Sequence, residues 1–187
     1  MLFLAFSAAA SAEGFDYNYV LLGYGNTDFD NFDADGDGFV LGGSYAVTDS
    51  LHAFASYEAA DLDTIVPAVN ADVTRWNVGI GYNTSISDAL DMYARLSYEN
   101  LDFDPPGAGN LDDTGYGFSV GTRYRFDNQL ELNAAINHVD YGDFGDDTGF
   151  EVGGLYSIND TWSVGLSGEW SDDVSTYTLS GRFYFGR

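Results

Sequence analysis

A short motif recurs five times along the chain, and this recurrence limits the possible folds more than any other feature. Each copy has an aliphatic residue, then a small residue, and an aromatic residue that closes the segment. The five copies occupy residues 41–45, 78–82, 120–124, 152–156 and 179–183. A short polar turn and another alternating segment follow each of the first four copies, so the repeated unit is a β-hairpin. Hairpins repeated in this way predict a barrel.

Ten segments show the alternation that is typical of strands. They lie near residues 15–25, 38–47, 51–60, 73–84, 90–100, 114–126, 130–140, 148–158, 162–170 and 175–185. Their connections alternate between short turns and mostly longer, Asp-rich segments, such as residues 26–37, 61–72 and 101–113. Short connections at one end and long ones at the other are typical of outer-membrane barrels. The sequence therefore predicts an all-β fold, a ten-stranded antiparallel up-and-down transmembrane β-barrel.

Alternation sorts the strand residues into a large apolar set and a small or charged set. A soluble β-sandwich also has one apolar and one polar face, so alternation alone does not say which set is inside. The charged residues indicate that the polar set is inside, since a nearly balanced set of Arg and acidic residues among Gly and Ser suits a narrow lumen. The predicted lumen charge network consists of Glu58, Arg75, Asp91, Arg95, Glu99, Arg123, Arg125, Glu131, Glu151, Glu169 and Arg182.

Lipid contact on the apolar face explains the aromatic residues near the strand ends. The predicted aromatic girdle consists of Tyr45, Trp76, Tyr82, Tyr124, Tyr156, Trp162, Trp170, Phe183 and Phe185. The alternation lapses around residues 17–22, which predicts a bulge or a change of parity and leaves the faces of the first strand unassigned. Because five Arg and their partners nearly fill a ten-stranded lumen, we predict a plugged barrel, with a narrow channel as the alternative.

The 187 residues carry a formal net charge of −24, and all six basic residues are Arg. Such a charge repels nucleic acid, so we expect no nucleic-acid partner. Most Asp residues fall in the predicted outer connections, which hold no Arg. This surface would repel anionic lipopolysaccharide unless divalent cations bridge the two, and solubility or a salty habitat is the alternative explanation. Without Cys, the chain has no disulfide or thiolate metal site.

Residues 1–12 form an apolar segment that ends in the Ala10-x-Ala12 pattern of a signal-peptide cleavage site. No basic residue precedes it and it is shorter than the usual ~15–30 residues, so either the start is misassigned or the segment is atypical. We predict a signal peptide over residues 1–12 and an outer-membrane β-barrel over residues 13–187, with both termini in the periplasm. No other stretch approaches the roughly 20 apolar residues of a membrane helix.

The last strand, residues 177–185, resembles the C-terminal signature of Gram-negative outer-membrane barrels, in which alternate apolar residues lead to a final Phe. In that family the barrel-assembly machinery recognises this signature, and the resemblance implies the same partner here. The whole layout resembles the small outer-membrane β-barrel domain family. Residues 17–24 and 76–83 are also similar to an outer-membrane and vesicle protein family of xanthomonads and relatives. Neither resemblance implies a reaction.

Residues 33–40 match the first half of an EF-hand calcium loop, with carboxylates at Asp33, Asp35 and Asp37 followed by Gly38. The second half does not match, because Ser44 stands where the loop needs a bidentate Glu. An acidic hairpin loop is the simpler interpretation. We therefore expect no cofactor, with a weakly bound calcium ion at these three Asp as the alternative.

His138 and Asp140 stand two residues apart near the outer end of a strand, where an imidazole and a carboxylate could form a catalytic pair. His138 has the parity of the lipid-facing set and no second His is near it, so we predict that the chain is not an enzyme. His52 lies near a short turn, and an interfacial role is expected for both His. The predicted function is a structural or surface-interaction role through acidic outer loops, and the alternative is a minimal porin for small solutes or ions.

Overall fold

The computed structural model describes residues 14–29, 34–64, 70–104, 111–172 and 174–186. Within these ranges the chain forms ten strands. They are β1 Tyr19–Phe29, β2 Ala34–Ala46, β3 Leu51–Thr64, β4 Asn70–Ser87, β5 Leu90–Asp104, β6 Leu111–Arg125, β7 Leu130–Asp140, β8 Asp146–Ser157, β9 Trp162–Ser171 and β10 Val174–Tyr184. One 3-10 turn, Gly142–Phe144, lies between β7 and β8. In the described part of the chain, no helix is long and apolar enough to cross a membrane.

The strands close into a barrel. Each strand pairs antiparallel with its neighbours in the chain, and β1 pairs with β10, so that Tyr19 is opposite Tyr184 and Phe29 is opposite Val174. Ten antiparallel strands bring the start of β1 and the end of β10 to the same end of the barrel, which we name the inner end. The predicted ten-stranded up-and-down topology is confirmed.

The first strand alternates without interruption. Val20, Leu22 and Tyr24 are exposed on the outer surface, and Gly23 between them is buried. The predicted bulge or parity change in this strand is therefore wrong. The sequence loses its alternation here because residues 14–18 precede β1 instead of forming its first part. A register shift lies instead in β4, between Ser85 and Ser87.

The outer connections are shorter than the sequence predicted. Residues 26–29 extend β1, residues 34–37 begin β2, and β3 continues to Thr64. Strand pairing continues through these Asp-rich stretches because a strand above the membrane needs paired backbone groups and does not need apolar side chains. Strand length is uneven as a result, since β4 has 18 residues and β9 has 10.

The outer surface of the barrel is apolar over the middle of the strands, and aromatic residues group near both ends. At the inner end, Trp162 and Phe183 have ring centroids 4.9 Å apart. Two groups of neighbouring aromatic side chains lie nearer the outer end. Trp76, Tyr98 and Tyr116 form the first, and Phe150, Trp170 and Tyr177 form the second, with neighbouring centroids 5.0–5.9 Å apart. Such grouping suits the two interfaces of a bilayer.

Candidate functional site

The lumen is the candidate site, because all of the predicted network residues line it. All eleven occupy the inward-facing positions of their strands and are buried or partly buried. Glycines of the repeated motif make room for large side chains inside the lumen. A side chain at Gly81 would collide with His52, and one at Gly121 would collide with Tyr93. Glycine is therefore required at these two close approaches.

Residues 14–18 close the inner end of the lumen, and we name them the N-terminal plug. Phe15, Asp16 and Tyr17 are each at most 7% exposed. The Tyr17 hydroxyl donates to Asp91 Oδ2 at 2.6 Å, and the Ser85 hydroxyl donates to Asp91 Oδ1 at 3.0 Å. The plug therefore supplies a hydrogen bond to the buried carboxylate of Asp91.

Arg123, the cross-strand neighbour of Asp91 on β6, also contacts the plug. Its guanidinium forms two hydrogen bonds with Glu131, Nε to Oε1 at 2.7 Å and Nη2 to Oε2 at 3.1 Å. The remaining nitrogen, Nη1, donates to the Asp16 carbonyl at 3.1 Å. The guanidinium also lies 4.9 Å from the ring centroid of Phe15 and 4.8 Å from that of Tyr17. This one side chain joins the wall, an acidic partner and the plug.

His52 is 1% exposed and belongs to the same layer, so the expected interfacial role for it is wrong. Arg95 Nε donates to His52 Nε2 at 3.1 Å. Because an arginine only donates, Nε2 must accept, which places the imidazole proton on Nδ1, 3.1 Å from the acceptor Asn83 Oδ1. The ring of Tyr17 stacks on the imidazole with centroids 4.4 Å apart.

In the middle of the lumen, arginines face aromatic rings in place of carboxylates. Arg95 lies 4.6 Å from the ring centroid of Tyr93, and Arg182 lies 4.2 Å from that of Tyr19. Among the described residues, only Arg75 and Arg123 form ion pairs with an acidic side chain. The predicted network of Arg and Glu therefore consists of two ion pairs and a set of cation–π contacts, beside a cavity of about 120 Å³.

The outer end of the lumen holds a cavity of about 180 Å³, which we name the outer-mouth pocket. The charged and polar residues of its lining that face the lumen are Glu58, Arg75, Asn77, Arg95, Ser97, Glu99, Ser119, Asn137, Tyr141 and Glu169. Arg75 donates to Glu58 Oε2 from Nη2 at 2.7 Å and from Nε at 3.1 Å. Burial raises the pKa of the Tyr141 hydroxyl above its usual value, although the nearby Arg75 acts in the opposite direction.

The residues of the EF-hand-like pattern do not form a loop. Asp35 and Asp37 lie in β2 and are exposed on the outer surface, and Asp33 lies outside the described residues. Same-face residues of an extended strand are ~7 Å apart, so the curled backbone of that loop is not present over residues 34–37. No group of three or more acidic or His side chains in the described ranges is arranged to hold a metal ion.

The register of the strands aligns four aspartates in one row. Asp37 is opposite Asp61, Asp61 is opposite Asp72, and Asp72 is opposite Asp104. All four are exposed on the outer surface. We name them the aspartate row. Like charges directly opposite one another destabilise a sheet, so the row has an energetic cost when no cation is near.

His138 and Asp140 are both exposed on the outer surface, as their parity predicted. His138 Nδ1 lies 2.8 Å from Thr148 Oγ1, which is its hydrogen-bond partner. The predicted girdle residues also face outward, and Tyr82, Trp162 and Tyr156 are about half exposed. Residues 1–12, predicted to be a signal peptide, lie outside the described residues.

Comparisons with known proteins agree with this architecture. A family model described as "Outer membrane protein beta-barrel domain" matches residues 1–167. Three solved structures are similar. An outer membrane channel from Pseudomonas putida F1 has a TM-score of 0.60 and 12% identity, over 91% of this chain and 98% of that chain. The NanC porin has a TM-score of 0.58 and 9% identity, over 89% of this chain and 100% of that chain, and Ail of Yersinia pestis with a heparin analogue has a TM-score of 0.50 and 13% identity, over 90% and 97%. At these identities the likeness shows the fold alone. No curated protein matches.

Proposed function

The chain belongs to the outer membrane protein beta-barrel domain family, and we propose that it is a closed barrel with a structural or surface-interaction role. It resides in the outer membrane of a Gram-negative bacterium, where its outer surface contacts the lipid bilayer. The observation that carries the proposal is the N-terminal plug, whose buried residues occupy the inner end of the lumen.

The plug is held firmly enough to stay in place. Withdrawing Phe15 and Tyr17 would expose two buried aromatic side chains, at a cost of about 1.5–3 kcal/mol each. It would also remove one hydrogen bond from Asp91 and one from Arg123. These terms favour the closed state and oppose the conformational entropy that residues 14–18 would regain on release.

The surface role rests on the aspartate row and its neighbours Asp28 and Asp35. These carboxylates lie on the outer surface beyond Tyr24 and Phe39, the aromatic side chains nearest to them on β1 and β2. At that level an outer-membrane barrel meets the phosphates of lipopolysaccharide, and divalent cations would bridge the two anionic surfaces. Calcium at Asp33, Asp35 and Asp37 belongs to the same proposal.

Two further parts of the proposal follow from the sequence. Strand β10 carries the C-terminal signature that the barrel-assembly machinery recognises in related barrels, so that machinery is the proposed partner during biogenesis. We also propose that the protein is not an enzyme, because His52 is hydrogen-bonded within a packed layer and His138 faces outward.

A minimal porin is the second candidate function. It is favoured by the cavities of about 120 and 180 Å³ in the middle and outer parts of the lumen, which leave space between the charged side chains. In this alternative the plug would have to leave the inner end for a solute to pass.

Swelling of proteoliposomes in an isosmotic solution of arabinose separates the two functions. We expect the swelling rate of vesicles that contain the folded protein to equal that of protein-free vesicles. Heat-modifiable migration on a gel confirms that the reconstituted barrel is folded. Swelling that increases with the amount of folded protein would contradict the closed barrel and support the porin.

A further inference from the structure

The outer-mouth pocket has an excess of negative charge. Three carboxylates, Glu58, Glu99 and Glu169, line it together with two guanidinium groups, those of Arg75 and Arg95. A cleft with an excess of one sign of charge concentrates ions of the opposite sign. The excess alone does not define a site, so the hydrogen bonds of each group matter.

The only ion pair of the pocket, among the described residues, uses Arg75 and Glu58. Glu99 is 5% exposed, and its carboxylate accepts a hydrogen bond from the neutral Ser97 hydroxyl. Glu169 Oε1 accepts from the side-chain amide of Asn137 at 3.2 Å. Two carboxylates of the pocket therefore lack a cationic partner within salt-bridge distance.

A second and independent observation points to a ligand. The Tyr141 hydroxyl and Asn77 Oδ1 are buried and have no hydrogen-bond partner among the described residues, and both residues line this pocket. Tyr141 is nine-tenths buried. Buried polar groups are nearly always hydrogen-bonded, so each unpartnered one calls for an explanation. Both oxygens accept hydrogen bonds, which is what a ligand with N–H groups would supply.

The arrangement excludes a compact metal ion. No three acidic or His side chains of the described residues converge on one point. Glu99 belongs to β5 and Glu169 to β9, which are separated by three strands in the closed sheet, so the two carboxylates lie on different parts of the wall. A ligand that reaches both must be extended and must carry positive charge at both ends.

We propose that the outer-mouth pocket binds a small linear organic cation with an ammonium group at each end, an α,ω-diamine. One ammonium group contacts Glu99 and the other contacts Glu169, while Tyr141 and Asn77 accept the remaining N–H groups. Arg95 at the inner side of the pocket, and Arg182 beyond it, repel the ligand, so that it enters from the outer end and does not pass further.

Calorimetric titration of the detergent-folded full chain with 1,4-diaminobutane tests the proposal. The titration is done at low ionic strength, because salt screens charges near the mouth. We expect saturable binding with a dissociation constant of about 1 mM or lower. The uncharged analogue 1,4-butanediol should give no saturable heat. Equal binding of the two compounds, or no saturation by the diamine, would overturn the proposal.

Two charge-matched variants locate the site. Glu99→Gln/Glu169→Gln removes two charges from the pocket and should weaken diamine binding at least tenfold. Asp61→Asn/Asp72→Asn removes two charges from the outer surface and should leave binding within a factor of about two. An equal loss in both variants would mean that the diamine binds the general negative field, which overturns the proposal.

The variant Tyr141→Phe tests the pocket even if Glu99→Gln/Glu169→Gln fails to fold. It removes only the hydroxyl, and the lost hydrogen bond should weaken diamine binding about threefold to tenfold. An unchanged dissociation constant in a folded Tyr141→Phe barrel would assign no ligand role to this hydroxyl and would count against the proposal.

Discussion

The two ends of the lumen confine charged side chains in different ways. At the inner end, Asp91 accepts from two hydroxyl groups, and Arg123 donates to Glu131 and to the plug. At the outer end, the Arg75–Glu58 pair is more than a third exposed, and within the described ranges no hydrogen bond reaches the Tyr141 hydroxyl. The charged side chains of the inner end are enclosed around the plug, whereas the ion pair of the outer end is open to solvent.

This difference has a source in the chain. The inner end has a free segment before β1 that folds back into the lumen and brings two aromatic rings with it. The outer end is bounded by strand extensions rich in Asp, and no comparable segment of the described residues enters the lumen there. In the proposed function, the plug closes the barrel toward the periplasm.

The largest effect is expected from Arg123→Ala. This change leaves Glu131 buried without its cation and removes the clamp on the plug, so the free energy of unfolding should fall by about 3–5 kcal/mol. Urea unfolding from lipid vesicles, followed by tryptophan fluorescence, measures it. Arg125→Ala is the matched control, since Arg125 contacts the ring of Phe15 and the Gly14 carbonyl but has no carboxylate within salt-bridge distance among the described residues. An equal loss in both variants would refute the special role of Arg123.

A smaller effect is expected from Tyr17→Phe. The ring and its stacking on His52 remain, but Asp91 loses one of its two hydrogen bonds, and the free energy of unfolding should fall by about 1–3 kcal/mol. The same unfolding experiment measures the change. A loss below about 0.5 kcal/mol would show that the hydroxyl contributes little to holding the plug.

At the outer end, Arg75→Ala sharpens the comparison. The pair with Glu58 resembles that of Arg123 and Glu131 in geometry but is exposed to 40% and 36%, against 6% and 15%. Water screens an exposed pair, so the expected loss is at most about 1 kcal/mol. A loss as large as that of Arg123→Ala would remove the distinction between the two ends.

The smallest effect, and one of opposite sign, is expected from Asp61→Asn. Removing one charge from the aspartate row relieves repulsion from Asp37 and Asp72, so the barrel should gain about 0.2–1 kcal/mol in vesicles that lack lipopolysaccharide and divalent cations. With lipopolysaccharide and Mg²⁺ present, the wild-type chain should gain more stability than the variant. The same gain in both would argue against cation bridging at this row.

The sequence predicted the strands of the barrel better than the side-chain contacts inside its lumen. Strict alternation placed the eleven charged residues in the lumen, because the period of two decides the face of each position. The same parity places Tyr93 between Asp91 and Arg95 inside, although its ring contact with Arg95, two residues away on the same strand, depends on the side-chain conformations. The similarity to a xanthomonad vesicle protein family stays a prediction.

Other features depend on contacts that no local pattern encodes. Tyr17 meets Asp91 across 74 positions of the chain, so the plug resembled a strand with a lapse in alternation. Tyr141 lies in a connection, where parity does not apply, and its burial could not be predicted. The Asp-rich stretches have turn-favouring residues, but their pairing with neighbouring strands decides their structure, and the aspartate row exists only through that register.

Single-channel recording in planar bilayers tests most directly whether the plug closes the barrel. The folded wild-type chain should produce no reproducible conductance steps, because residues 14–18 fill the inner end of the lumen. The variant Phe15→Gly/Tyr17→Gly, which keeps the whole wall, should show openings under the same conditions. Reproducible open steps in the wild-type chain, at the frequency seen in this variant, would contradict the closed barrel.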